Sequence, residues 1–352
     1  MIRRHKYFER NVVPDLLLTL SENYSNTLET VITYTSGDFS YRYEPEWAKF
    51  PEELWGWVIS GIACDKEDNI YVTMKNKEAP IVKLNKDGEV VGILGKGLPI
   101  TKLHGISIAE DGSIFVADDN NHVVFHLDPA GRLLQQFGTL GIPSDSGYHT
   151  DYVDPADKSK PITIKVYSDD GTEVEKIISN SAYKSIQRLA PPFNKPTKML
   201  SHKGRLYASD GYGNAAVHVF DTDGHLLKSW GGPGDEPGKF AIVHSLWIDK
   251  QDRIWVCDRE NDRVQVFTLD GELLKVLGGL WYPVDVWSDD SYVYVLQNEG
   301  RVSIYDMDYD LLAEIGHWQC GNIAAHSMTG DSGSRLYLAD CGAKGVSRLV
   351  RI

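Results

Sequence analysis

Cysteine is scarce and scattered in this chain. Cys64, Cys257, Cys320 and Cys341 stand far apart in 352 residues and form no C-x-x-C pair. They read as reduced, mostly buried thiols rather than paired or clustered ones, which fits a reducing compartment. Basic charge is also short: 36 Lys and Arg face 50 Asp and Glu, a formal net charge of −14. A nucleic-acid or anionic-membrane partner is not expected on electrostatic grounds. Long apolar runs are missing. The start of the chain is basic, but the apolar stretch at residues 12–20 is short and broken by Pro14 and Asp15. It reads as neither a signal peptide nor a membrane span, and at most as an amphipathic helix near residues 11–24. The expectation is a cytoplasmic monomer acting on a small molecule.

What the chain does have is short apolar runs with period-two alternation, separated by Asp, Asn and Gly turns. Residues 240–271 show three of them, at His244-Ser-Leu-Trp-Ile-Asp, Arg253-Ile-Trp-Val-Cys-Asp and Arg263-Val-Gln-Val-Phe. Such a unit is an antiparallel meander. It recurs roughly every 40–45 residues, the period of propeller blades. Six units are present, so the expected fold is an all-β, six-bladed β-propeller. The last unit lacks a fourth strand, and pairing of the chain ends closes such rings. Residues 39–43 are expected to supply that strand, with another strand at 27–34. Residues 1–45 are thus an N-terminal segment and residues 46–352 the propeller. Residues 142–195 break the period. A loop of that length is usually functional, and a hairpin around Asp169-Asp-Gly-Thr, folded over one face as a lid, is the expectation.

Aligning the units on the acidic end of their second strand exposes one position. Counting back 14 residues from Asp118, Asp258 and Asp340 gives His104, His244 and His326. The same count gives Ser60, Pro196 and Pro283 in units one, three and five. The first strand of a blade lines the central channel, and alternate blades of six stand about 120° apart. Three imidazoles so placed converge, leaving open positions on a bound metal, the arrangement catalytic zinc uses. A divalent metal, zinc first, is expected there, with iron or manganese open. His122, His126, His202, His218 and His225 lie off that position and read as structural. His149, in the insertion, stays open to a site role.

Repeats such as SIFVADDNNHVVFHLDPAGRLLQQFG and RIWVCDRENDRVQVFTLDGELLKVLGG resemble NHL repeats. More narrowly, Asp210-Gly-Tyr-Gly-Asn, Val243-His-Ser-Leu and Asp258-Arg-Glu-Asn are similar to the lyase domain of peptidylglycine amidating enzymes. Its bacterial relatives also share Ser144-Asp-Ser-Gly-Tyr and Pro192-Phe-Asn-Lys-Pro-Thr. The resemblance implies that His104, His244 and His326 bind zinc. It implies that Tyr212 is the catalytic tyrosine and Arg259 an active-site arginine. Lys75 falls where the family carries a second arginine; it keeps the charge without the planar fork. Ser327 stands where an aspartate helps bind a structural calcium, so that calcium is not expected.

The implied chemistry is cleavage of a carbinolamide. A phenol beside a metal can ionise and serve as base, and a guanidinium can hold a substrate carboxylate. No copper monooxygenase domain accompanies the lyase pattern. The expected activity is therefore a metal-dependent lyase breaking a hydroxylated C–N bond of an unspecified substrate. A metal-dependent hydrolase of a lactone, ester or amide at the same site is the second reading. A protein-binding NHL scaffold is the third.

Overall fold

The computed structural model describes residues 32–156, 162–167, 173–178, 181–298, 300–316, 325–341 and 345–352. Six antiparallel units follow one another. Their first strands are Ile59–Cys64, Leu103–Ile108, Pro196–His202, Val243–Ile248, Pro283–Ser288 and Ala325–Gly330. Within the first five units the strands pair in chain order, and the sixth is completed by strands from the start of the chain. The six first strands contact one another around a closed circle, the sixth touching the first. The chain is a six-bladed β-propeller with those strands at its axis.

The ring closes through its ends. Phe39–Glu44 pairs antiparallel with Gly345–Arg351, with Tyr41 opposite Arg351 and Tyr43 opposite Leu349. Of the expected strand at 27–34, the described part is strand and runs on to Ser36. Ile32–Ser36 pairs with Phe39–Glu44 and gives blade six a fifth, outermost strand. Residues 27–31 and the expected 11–24 helix lie outside the described residues. So does the Asp169-Asp-Gly-Thr turn, although the flanking strands Ile162–Tyr167 and Glu173–Ile178 do pair as a hairpin.

Each blade is sandwiched between two others, so inner strands bury both faces. Ile114–Asp118 and Arg253–Asp258 are buried along their whole length, whereas the outer strand Leu226–Gly231 is largely exposed. Between blades four and five, Trp255, Val264 and Val266 pack with Val286, Val293 and Val295.

The acidic ends of the second strands set the height of the first strands. Asp118 accepts the backbone N–H groups of Thr101 and Lys102, just ahead of His104. Asp258 accepts that of Ala241, just ahead of His244. Asp210 does the same for Asn194, and Gln297 for Trp281. These repeat side chains, three carboxylates and the Gln297 amide, are the clamps that place the channel residues.

Tyr41, fully buried in the closing strand, packs in the cluster that joins blades five and six. Tyr41→Ala should cost about 3–5 kcal/mol through the cavity it leaves. Urea unfolding followed by circular dichroism checks this.

Candidate metal centre

Every first strand carries a one-residue irregularity at the same level. The register skips between Leu103 and Ile106, Val243 and Ser245, and Ala325 and Ser327, which throws His104, His244 and His326 out of the ladder. Bulges re-aim side chains in this way. In the other blades the equivalent residues are Ser60, Thr197 and Val284. The count of 14 therefore lands one residue early on Pro196 and Pro283. The cause is a shorter hairpin: Ser201 pairs with Leu206 and Ser288 with Val293, while Ile248 pairs with Ile254.

The structure brings His104, His244 and His326 together at the axis. Their ring centroids are 4.8–5.0 Å apart, and one ligand atom from each lies within 4.8 Å of the others. Each ring is held by the next blade. Nδ1 of His104 donates to the Thr197 carbonyl at 2.9 Å, that of His244 to Val284 at 2.6 Å, and that of His326 to Ser60 at 2.8 Å. A carbonyl only accepts, so the proton resides on Nδ1 and each Nε2 keeps its lone pair. Burial also holds the imidazoles neutral, pushing His104 down to about 3, His326 to about 4, and His244 well below the ordinary value. Three neutral rings with pinned tautomers are the donor set a divalent metal requires, and the carbonyls are the outer partners such ligands use.

Tyr212 stands over this cluster. Its hydroxyl is 2.8 Å from His244 Nε2 and 3.1 Å from His104 Nε2. Arg259 lies 5.4 Å from the Tyr212 ring and brings Nη1 to 3.5 Å of its oxygen. Burial raises the Tyr212 pKa, outweighing the opposing pull of Arg259 and Lys102. It is a neutral phenol in this arrangement; a cation beside it would favour the phenolate. The Arg259 fork is partly engaged as well. Its Nε and Nη2 both donate to Glu260 Oε1, leaving the Nη1 edge facing the site. Lys75 is exposed at the surface, and partial desolvation of its ammonium together with the neighbouring Lys102 lowers its pKa.

Three site groups escape a reading of the sequence. Lys102 donates to Asp119 Oδ2 at 2.5 Å, and its ammonium is 5.6 Å from the Tyr212 ring. Asp119 is almost wholly buried, and among the described residues its other oxygen has no hydrogen-bond partner. Lys102 and His104 hold its pKa down against burial. Tyr148, from the insertion, lies within the field of Asp119 and Lys102. The only available signal was the doubled acid Asp118-Asp119, where one residue suffices for the clamp. His149 is exposed. Of the remaining histidines, His126 stacks on Phe115, His202 bonds Asp252, His218 bonds Ser229, His225 bonds Asp221, and His122 accepts the Lys195 N–H.

Comparison with known proteins agrees with this architecture. A family described as a 6-bladed beta-propeller (DUF5128) matches residues 191–315. The rat peptidylglycine alpha-amidating monooxygenase is 25% identical over 268 residues, covering 67% of this chain and 23% of that protein. A probable peptidyl-alpha-hydroxyglycine alpha-amidating lyase of Caenorhabditis elegans is 24% identical over 200 residues, covering 55% of this chain and 44% of that protein. The match thus spans less than half the length of either relative. Virginiamycin B lyase from Staphylococcus aureus shares the fold, with a TM-score of 0.55 and 14% identity over 89% of this chain and all of that one. The chain is a six-bladed propeller similar over part of its length to the peptidylglycine amidating proteins. No helix among the described residues is long and apolar enough to cross a membrane.

Two outcomes follow from this geometry. An unfolded histidine titrates near pH 6.5, well above the folded values of His326 and His104. The unfolded chain therefore takes up protons first as pH falls. Stability from the neutral rings is complete above about pH 6.5 and is lost as pH drops toward the folded values. In metal-stripped protein the urea midpoint should fall less steeply from about pH 7.5 to about pH 5 in His326→Asn than in wild type. Separately, a Cβ on Gly105 would come 2.3 Å from the Thr197 carbonyl that holds His104. Gly105→Ala should weaken metal binding by about 10–100-fold while every ligand remains, as read by competition with a chelating dye.

Proposed function

We propose that the chain is a metal-dependent lyase that cleaves the C–N bond of a carbon bearing a hydroxyl group, as in an N-acyl-α-hydroxyglycine. The observation that carries this reading is the set of three tautomer-pinned imidazoles lying directly beneath Tyr212 and Arg259. Homology to the amidating proteins supports it, as does the presence of a lyase among the relatives. His104, His244 and His326 would hold the metal, with zinc the first choice. A bound divalent metal would act as a Lewis acid, making the substrate hydroxyl easier to deprotonate and favouring the Tyr212 phenolate.

The residues of the chain divide the remaining work. Tyr212 takes the hydroxyl proton, the carbon–oxygen double bond forms, and the C–N bond breaks. The same phenolic oxygen returns the proton to the departing nitrogen, so the products are an amide and an aldehyde and no water is consumed. The Nη1 edge of Arg259 and the Lys75 ammonium bind the substrate carboxylate, as a point and a partial fork rather than a full two-point grip. The unpartnered oxygen of Asp119 is placed to accept the substrate N–H.

The 142–195 insertion is the lid of this reading. Ser146 donates to the Gly213 carbonyl at 2.5 Å and accepts from Asn194 at 3.1 Å, which fastens both ends of the insertion beside Tyr212.

Purified protein should carry one divalent metal per chain, lost in His104→Ala and His244→Ala, by elemental analysis. With an N-acyl-α-hydroxyglycine, glyoxylate and the acyl amide should appear. Tyr212→Phe should keep the metal and lose about 10²–10⁴-fold in kcat. In ¹⁸O water the acyl product should be an unlabelled amide. A labelled carboxylic acid would instead identify a hydrolase, and metal-free active protein would remove the site altogether.

A further inference from the structure

We propose that the opposite mouth of the channel is a second binding site, which takes a small planar aromatic carboxylate. A cavity of about 240 Å³ opens at the far ends of the first strands, two to four residues beyond the histidine level. Its walls include Trp247, Trp287, Met328, Ile106 and Leu200, and Lys198 lies at its floor. The two indoles stand 6.5 Å apart at 47°. Trp287 reaches the wall because residue 330 is glycine; a Cβ there would meet its ring at 2.3 Å. Trp247 is fixed by its N–H bond to Ser288 at 2.9 Å. These are preformed aromatic surfaces, suited to a flat apolar body.

The floor selects what the flat body carries. Asp285 is saturated: its carboxylate accepts from Lys198 Nζ, the Ser245 and Ser327 hydroxyls and the Met328 and Val286 backbone N–H groups. Lys198 is not. Among the described residues Asp285 is its one hydrogen-bond acceptor, at 3.0 Å, and its ammonium lies 5.8 Å from the Trp247 ring. An ammonium has three donors, so the unused capacity at the floor is donor capacity. An anionic acceptor on the ligand fits it, and a cation does not. Drug-sized pockets run to about 300–1,000 Å³, so the occupant is smaller, of the order of a single substituted ring. The Lys198–Asp285 layer separates this cavity from the three histidines, and the site does not depend on the lyase reading.

Benzoate is the probe, with benzyl alcohol as its uncharged counterpart, measured by calorimetry and tryptophan fluorescence. Saturable benzoate binding with a Kd of about 1 mM or tighter is expected, with benzyl alcohol at least about tenfold weaker. The Arg259→Gln variant should bind as wild type does. The paired variant Lys198→Met with Asp285→Asn, which leaves no lone buried charge, should lose the preference for benzoate. Should that pair not fold, Ser201→Trp, at the exposed rim of the cavity, should block binding of both probes. The proposal is overturned by absence of saturable binding or by equal affinity for the two probes. It is equally overturned by loss of binding in Arg259→Gln with retention in the paired variant, which would place benzoate at the histidine end.

Discussion

The structure turns on one contact repeated three times, an imidazole Nδ1–H donating to a backbone carbonyl of the next blade. It joins blades two to three, four to five, and six to one. The donors and acceptors sit at the same bulged level, so the alternation of histidine with Ser60, Thr197 and Val284 has a steric reason. Rings 4.8–5.0 Å apart already fill the axis, and six could not share it. Three can, provided the intervening positions are small and offer a carbonyl. The ring geometry thereby converts a sequence repeat into a threefold set of nitrogen donors.

The channel is layered below that level. One residue further along the first strands come Gly61, Gly105, Lys198, Ser245, Asp285 and Ser327. A lone buried lysine here would repel a cation among the histidines, since charges interact strongly where water is excluded. Asp285 cancels that charge while Ser245 and Ser327 satisfy its remaining lone pairs. Buried ion pairs add little stability by themselves. This one keeps the floor of the proposed metal centre neutral and divides the channel in two.

Much of this was legible in the sequence because a propeller is periodic. The six units, the closing strand and the three histidines all follow from counting. Counting failed where the period did, in blades three and five, whose shorter hairpins shift the axis position from Pro196 and Pro283 to Thr197 and Val284. Lys102 and Asp119 were hidden for a different reason. They lie in turns flanking the strands, where lysine and aspartate ordinarily face water, and only the folded ring shows that these turns face the site. The protonation of Tyr212 was likewise out of reach, because burial and the Arg259 and Lys102 charges act in opposition and their balance needs coordinates.

The placement of Tyr212 itself shows how closely the site is tied to the irregular part of the chain. Its two flanking glycines are both required by contact. A Cβ on Gly211 would meet the Val243 carbonyl at 2.1 Å, and one on Gly213 would meet Asn194 Oδ1 at 2.2 Å. Val243 precedes His244, and Asn194 ends the insertion. The loop carrying the phenol is therefore pressed between a proposed metal ligand's own strand and the segment that breaks the repeat. Ser146 completes the wedge by donating to Gly213. The insertion arrives between blades two and three, which bear His104 and Tyr212. A substitution at its ends will move the phenol relative to the imidazoles without touching either, so the segment that departs from the propeller pattern sets the distance on which the proposed chemistry depends.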